Sequence, residues 1–462
     1  MNRRNRVSFF NILSTCLLYG ISIFTAPLFS RLLGTGGYGN LSNYNVWVSI
    51  LAIAATMQTQ GTLVNARVEY PEEEQPRYQS SVMTLSFLVF FLVSLLVLTF
   101  LEPISKGLKL SRFFIVLVLF QSIGTYGVNF MNSKLTYELK AGRNMLLSVC
   151  TALGSLVLSL IFVLTMPKEV NYYGRILANA AVYGILGLSL CAWVLWRGRT
   201  FVNFRYWKFC IPLAIPYVFY NLADLLLGHS DVVMLRQLSG DTVSGIYSMA
   251  FQFGTILFTL FGALNNTWVP FFFEYTKKGD GEAVLSQSRN FLEVYTVLST
   301  GFLLLSTEVF HLFASRDFWG STGLIPIFVA SHYLNFLCTF PINYEYYHKK
   351  VKVVAFATIS SSLVNIGLNY LFISKIGMPG AALATVLSHS LQFAMHHIYT
   401  RYVLGKGDYP FGVRLWGSYA GFFLGVMALV YLLPNAWLLR WGLGGCIGLW
   451  ELARIRKRKV LI

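Results

Sequence analysis

"TLSFLVFFLVSLLVLTFL", residues 84–101, runs for eighteen positions without a charge. A helix rises about 1.5 Å per residue, so about 20 such residues cross the hydrocarbon core of a bilayer. The pattern recurs along the chain, as in "AGFFLGVMALVYLL" from Ala420 to Leu433. Apolar segments near 8–30, 41–62, 81–101, 113–133, 144–166, 174–196, 209–235, 243–273, 291–314, 321–344, 353–374, 380–400, 415–433 and 436–451 predict about fourteen transmembrane helices. Composition agrees: 55% of the 462 residues are hydrophobic, 12% are charged, and the mean hydropathy is +0.59. The reading is an all-α integral membrane protein with no connection long enough for a separate soluble domain.

The formal net charge of +17 points first to nucleic acid, but the positions of the cations exclude it. Of 36 Lys and Arg, 26 lie in alternate connections, those that are cytoplasmic if the amino terminus is cytoplasmic. That asymmetry is the positive-inside rule, and it places both termini in the cytoplasm. The basic tail "RIRKRK" (454–459) then reads as a topology anchor or an anionic-lipid contact. "MNRRNR" followed by an apolar run resembles a secretory signal, yet it lacks a small-residue cleavage site and reads as a retained first helix. The six cysteines show no paired spacing and imply neither a disulfide framework nor a metal site.

An internal repeat sets the expected architecture. "RLLGTGGYGNLSNYNVWVSIL" from Arg31 matches "RQLSGDTVSGIYSMAFQFGTIL" from Arg236 at an offset of 205 to 206. "GSLVLSLIF" from Gly154 matches "SSLVNIGLNYLF" from Ser361 at 207, and "YGRILANAA" from Tyr173 matches "PGAALATVL" from Pro379 at 206. The expected organisation is two six-helix lobes, 1–200 and 201–405, followed by two further helices and the basic tail in 406–462. Six helices per repeat give both lobes the same orientation, and the substrate path of such transporters lies between them.

The helix ending in "RLLGTGGYG", its echo "SDVVMLRQLSGDTVSGIYSMA", "WVPFFFEY" (268–275) and the basic turn "YEYYHKKVKVV" (344–354) resemble the bacterial polysaccharide flippases of O-antigen and teichoic type. Their superfamily also contains the multidrug and toxin extruders and the lipid II flippase. The resemblance covers nearly the whole chain, and it rests on the order and spacing of degenerate motifs. It implies translocation of an undecaprenyl-diphosphate-linked oligosaccharide across a bacterial plasma membrane, alongside a polymerase and other polysaccharide assembly proteins. Membrane lipid is the other expected partner, and no cofactor is implied.

An anionic diphosphate directs attention to the cytoplasmic cations Arg67, Lys134, Lys140, Arg143, Lys349 and Lys350, with Lys352 beside them. Arg grips phosphate through paired hydrogen bonds and Lys acts as a point charge. The alternative is that these residues only satisfy the positive-inside rule. Arg67 and Lys134 stand out because their helices carry other polar groups, among them Gln121 and Asn129. Arginines in the first cavity helix are a feature of the related lipid II flippases; "ILSTCLLYGISIFTAPLF" carries no charge, so that mode of capture does not transfer. For the sugars, Tyr217, Tyr220, Asn221, Gln252, Asn265, Asn266, Trp268, Asn335, Asn343 and Tyr344 offer aromatic faces and neutral hydrogen bonds. Interfacial anchoring explains many of the aromatics equally well.

"ADLLLGHSD" (223–231) places Asp224, His229 and Asp231 in a membrane helix that also carries Pro212 and Pro216. Acids there are costly. Asp224 is expected near the midplane and Asp231 about one turn from the outer surface, both on one face. Two readings stay open: a site for a coupling cation, proton or sodium, or acids hydrogen-bonded within the protein. "GTGGYG" (34–39) matches a dinucleotide-binding pattern in form only, since a membrane helix precedes it. Arg31 and Arg236 are expected to cap helix carboxyl ends. His389, His396 and His397 have no carboxylate nearby in sequence, which argues against a metal. The rival functions are a cation-coupled multidrug exporter of the same fold and a membrane polymerase or ligase. A polymerase needs an outer domain, and the longest expected outer connection is about eleven residues, 102–112. No nucleophile with an adjacent base is present, so enzyme chemistry is not expected.

Overall fold

The computed structural model describes residues 3–405 and 409–458. Among them there is no strand, and every predicted segment has a helical counterpart. The helices are α1 (Arg3–Ala54), α2 (Leu63–Glu69), α3 (Gln75–Thr99), α4 (Leu101–Leu108), α5 (Arg112–Tyr137), α6 (Ala141–Thr165), α7 (Asn171–Gly198), α8 (Phe204–Ser239), α9 (Asp241–Lys278), α10 (Gly281–Phe313), α11 (Ile325–Tyr347), α12 (Val351–Ile376), α13 (Met378–Ile398), α14 (Val413–Leu432) and α15 (Trp437–Arg458). Among the described residues ten spans are long and apolar enough to cross a membrane, so the chain is a multi-pass membrane protein. The predicted first two segments are both in α1, which breaks at Gly34 (φ 65°, ψ 179°). Only glycine adopts that backbone without strain, so one residue turns the chain where a loop was expected.

The chain divides into two compact units, 1–245 and 246–462. In the first, the repeated glycines explain the repeat. Gly240 also has positive φ (93°), and Gly39 and Gly245 meet backbone to backbone. A Cβ on Gly39 would lie 2.0 Å from the Asp241 carbonyl oxygen, and one on Gly245 would lie 1.9 Å from that of Thr35. No side chain fits there. Arg236 is buried beside this contact. Its Nε donates to Asp241 (2.5 Å), Nη1 donates to the Leu108 carbonyl (3.0 Å), and Nη2 donates to Asn40 and the Lys109 carbonyl (2.9 Å each). The expected capping role therefore holds in altered form: Arg236 caps the carboxyl end of α4. The expected outer connection is itself mostly this short helix.

In the second unit a dense aromatic core does the packing. Trp268, expected to line a cavity, is buried and stacks on Phe272 and Phe291 at 5.0 and 5.2 Å between centroids. Burial of so large an apolar side chain contributes more here than cavity lining would. Arg440 is buried on α15, where it pairs with Glu308 and donates to the Leu304 carbonyl. The third repeat match also has a steric cause in each unit. A Cβ on Gly174 would lie 2.9 Å from the Phe162 carbonyl oxygen, and one on Gly380 would lie 2.4 Å from that of Phe372.

Candidate functional site

The strongest anion-binding geometry lies where α5 ends in the first unit. Leu139 takes a left-handed conformation (φ 57°), and the Lys140 N–H closes back on the Leu135 carbonyl at 2.8 Å. This turn lets three cations converge. Lys134, in the last turn of α5, is only 4% exposed, and its Nζ donates to Gln79 of α3 (2.5 Å) and to Glu138 (2.8 Å). Lys140 reaches the same carboxylate at 2.6 Å. Arg67, at the end of α2, donates Nη1 to the Tyr137 carbonyl (2.5 Å) and so caps α5, while its Nη2 stands 3.8 Å from Glu72. Gln75 holds α2 in place by donating to the Ala66 and Tyr70 carbonyls, 2.8 Å each.

These groups line a cavity of about 320 Å³ together with Arg197 of α7, Leu63, Pro76 and Tyr137. Arg197 also lies over the Trp193 ring, 5.3 Å from its centroid. Four cations face two carboxylates, Glu72 and Glu138. Burial pushes the Glu138 carboxyl up, but the ammonium groups of Lys134 and Lys140 outweigh it and hold the group below the usual carboxylate range. An ammonium has three donors. Lys134 directs two of them to Gln79 and Glu138, and its ammonium also lies over the Trp193 ring, 5.8 Å from the centroid. The cavity is thus organised by internal pairs and keeps a cationic excess, which suits a phosphate-bearing ligand.

The structure brings together only part of the predicted set. Arg67, Lys134 and Lys140 share the cavity; Arg143, beyond the turn, is exposed and does not line it. Lys349 and Lys350 are exposed on a turn of the second unit. Tyr220, Asn221 and Gln252 are half-buried, and Asn221 donates to the Tyr217 carbonyl at 2.6 Å. Asn343 is buried and donates to Thr339 of its own helix; the Thr339 hydroxyl donates to Asn265 of α9 at 2.9 Å. The Asn266 side chain lies outside the described residues.

The two acids of α8 differ from each other. Asp224 is exposed at its turn of α8. Asp231 is 1% exposed, and its carboxylate accepts from the Val232 N–H at 2.8 Å. His229 is half-buried. The two positions share a helix face, so what differs is what packs against each turn of it.

Besides Arg197 of the cavity, two further charged residues were missed. Arg175 of α7 lies inside the motif "YGRILANAA", where only the repeat was read. Its guanidinium carbon is 3.7 Å from the Phe29 ring centroid, and its Nε and Nη1 are buried without hydrogen-bond partners among the described residues. Glu345 of α11 is fully buried against His396 of α13, 51 positions away, a carboxylate that the sequence near these histidines does not offer. Among the described residues no group of three or more metal-ligating side chains assembles. The second unit also carries an apolar groove of about 900 Å³ between α10, α14 and α15, lined by Leu285, Phe422 and Trp450 with Arg289 and Arg414.

The fold defines the class. A lipid II flippase, MurJ, in an inward closed conformation superposes with a TM-score of 0.67 over 98% of this chain and 99% of its own, at 17% identity. An inward-facing multidrug resistance transporter of the MATE family reaches 0.60 over 84% and 99%, at 14% identity. The chain therefore shares the fold of both. The family described as "Polysaccharide biosynthesis protein" matches residues 6–276, and the chain belongs to it. Among curated relatives it is similar to an uncharacterized membrane protein of Haemophilus influenzae, 23% identical over 74% of this chain and 83% of that one. It is also similar to the probable low-salt glycan biosynthesis flippase Agl15 of Haloferax volcanii, 23% identical over 84% of this chain and 82% of that one.

Proposed function

We propose that this protein flips undecaprenyl-diphosphate-linked oligosaccharide repeat units across a bacterial plasma membrane for a surface polysaccharide such as O-antigen or capsule. The observation that carries the reading is the cationic cavity around Lys134 in a transporter-type member of a polysaccharide biosynthesis family. With both termini cytoplasmic, as the cation distribution implies, this cavity opens on the leaflet where the lipid-linked sugar is made. The diphosphate docks on Arg67, Lys134, Lys140 and Arg197. The sugars follow through a hydrated cavity, and the lipid tail stays in the bilayer, for which the apolar groove of the second unit offers a seat. Asp224 is the candidate of α8 for a coupling cation. Lobes that alternate in access complete the cycle.

Export of drugs is the second reading, because the MATE fold accommodates this chain. The charge of the cavity weighs against it for cationic drugs, which four cations against two carboxylates would repel. Leaflet-specific detection of the lipid-linked oligosaccharide in a deletion strain tests the proposal. Accumulation in the inner leaflet is expected, and normal outer-leaflet levels would refute it.

A further inference from the structure

The turn that ends α5 is built a second time at the end of α11. Lys349 takes φ 60° where Leu139 takes 57°, and the Lys350 N–H donates to the Glu345 carbonyl at 2.8 Å as Lys140 does to Leu135. The turns correspond at an offset of 210, so Glu345 stands where the first unit has Leu135. On the partner helix the offset set by Gly174 and Gly380 is 206, and His396 stands where the first unit has Leu190. Leu135 and Leu190 both belong to one apolar cluster. The same turn is therefore made once with two leucines and once with an acid and an imidazole. The apolar version demonstrates that the fold does not require the ionisable one. Buried ion pairs are in general no more stable than apolar replacements of similar volume, so stability does not account for the pair either.

Its geometry fits a proton. Glu345 and His396 are both 0% exposed, and His396 Nδ1–H donates to the two carboxylate oxygens at 3.0 and 2.9 Å. His396 Nε2 is buried without a partner among the described residues, as are both ring nitrogens of His397. With one proton beyond the bare carboxylate and neutral imidazole arrangement, the pair is neutral overall. Without it, or with a second, an uncompensated charge is sealed in a dry site, which is costly. The closed site therefore traps its proton, and exchange requires opening. The surroundings supply a means of opening: α13 runs directly into a π-helical turn, Tyr399–Leu404, and the Thr400 hydroxyl bonds back to the His396 and His397 carbonyls. Such π segments have weakened backbone ladders and recur at functional sites.

Other titratable groups face the pair from each side. Cys338 of α11 and Tyr409, beyond the π turn, lie within electrostatic reach of Glu345, and Arg401 of that turn acts on His397. His348, just beyond α11, bonds the Tyr344 carbonyl at 2.9 Å, and Lys350, just before α12, contributes the backbone bond already described. Farther along α13 the polar line continues. Gln392 donates to Thr358 of α12 (3.1 Å) and stands 3.3 Å from His389, all three buried. In the first unit the corresponding positions of Gln392 and His389 are Leu186 and Tyr183.

We propose that Glu345 and His396 form a proton-binding site that exchanges with solvent only when the α13 end opens, which makes the proton a ligand of the conformational cycle. The site stands on its own geometry; its use in transport rests on the flippase reading above. The test uses full-length protein in nanodiscs, shifted rapidly between pH 9 and pH 5 while a pH indicator follows proton uptake and release. The wild-type protein is expected to show a slow, opening-limited phase of about one proton per chain, since a coupled pair titrates as a unit. Glu345→Leu/His396→Leu copies the first unit's solution and is expected to fold and lose that phase. Glu345→Gln keeps a hydrogen-bond acceptor for Nδ1–H and is also expected to lose it, which covers failure of the double variant to fold. A slow phase unchanged in these variants would overturn the proposal. Loss of the phase alongside absent oligosaccharide flipping in the wild type would retain the proton site and reject the flippase reading.

Discussion

The ends of α5 and α11 share backbone geometry to within a few degrees and differ in what they hold. At the first, Lys134 and Glu138 pair one helical turn apart beside a cavity that keeps a surplus of positive charge. At the second, Tyr344 and His348 occupy those positions, and the ionisable chemistry moves one residue along, to Glu345, where it is sealed against α13. One turn thus keeps a surplus of charge beside a cavity, and its copy hides ionisable groups from solvent. The lesson is that a repeat preserves backbone requirements, glycines and left-handed positions, while side chains at equivalent places are free to take different tasks.

The largest expected effect is at the hidden pair. His396→Ala leaves the Glu345 carboxylate buried without its donor and should cost about 3–5 kcal/mol, read as a fall in thermal stability. A fall below about 1 kcal/mol would mean that the site is wetter than the geometry indicates. Next, Lys134→Ala removes the partner of Gln79 and one partner of Glu138. Because Glu138 reaches solvent, about 2–3 kcal/mol is expected, with a loss of substrate binding that Lys140→Ala reproduces only in part. The shared backbone is probed by Leu139→Gly and Lys349→Gly. Each relieves a left-handed penalty of about 1–2 kcal/mol less the entropy a glycine loses, so both should stabilise by about 0.5–1 kcal/mol and by similar amounts. Unequal shifts would break the equivalence of the two turns.

The smallest effect is the pH dependence of the exposed end. Glu138 is held below its unfolded value by Lys134 and Lys140, so its contribution is fully present above the ordinary carboxylate range. It is lost as pH falls through the depressed folded value. Thermal stability measured from pH 6 down to pH 3 should show this loss in the wild type and a weaker one in Glu138→Gln. Equal slopes would remove Glu138 from the network.

Much of the fold was legible. The apolar runs marked each membrane helix because hydrocarbon admits few charges, and the repeat glycines marked Gly39 and Gly245, where backbone contact excludes any side chain, and Gly34 and Gly240, where the backbone takes positive φ. The cavity was legible in part: Arg67, Lys134 and Lys140 were singled out by charge, but Arg197 was not, since its place depends on α7 packing beside α3. Glu345 escaped because its partner lies 51 positions away and periodicity within one helix says nothing of such pairs. A comparison of polarity between the repeats, Leu135 with Glu345 and Leu190 with His396, carried the signal. The contrast between Asp224 and Asp231 was not legible, because exposure along one helix face depends on which neighbours cover each turn.

The most direct test of the central claim is transbilayer movement of an undecaprenyl-diphosphate-linked oligosaccharide in proteoliposomes containing the purified protein, compared with Lys134→Gln and Arg67→Gln. The account predicts protein-dependent appearance of the sugar in the opposite leaflet, at least tenfold slower in both variants, since losing one charge-assisted phosphate contact costs about 1.5–3 kcal/mol. Movement at the wild-type rate in both variants, or none above protein-free vesicles with the wild type, would contradict it.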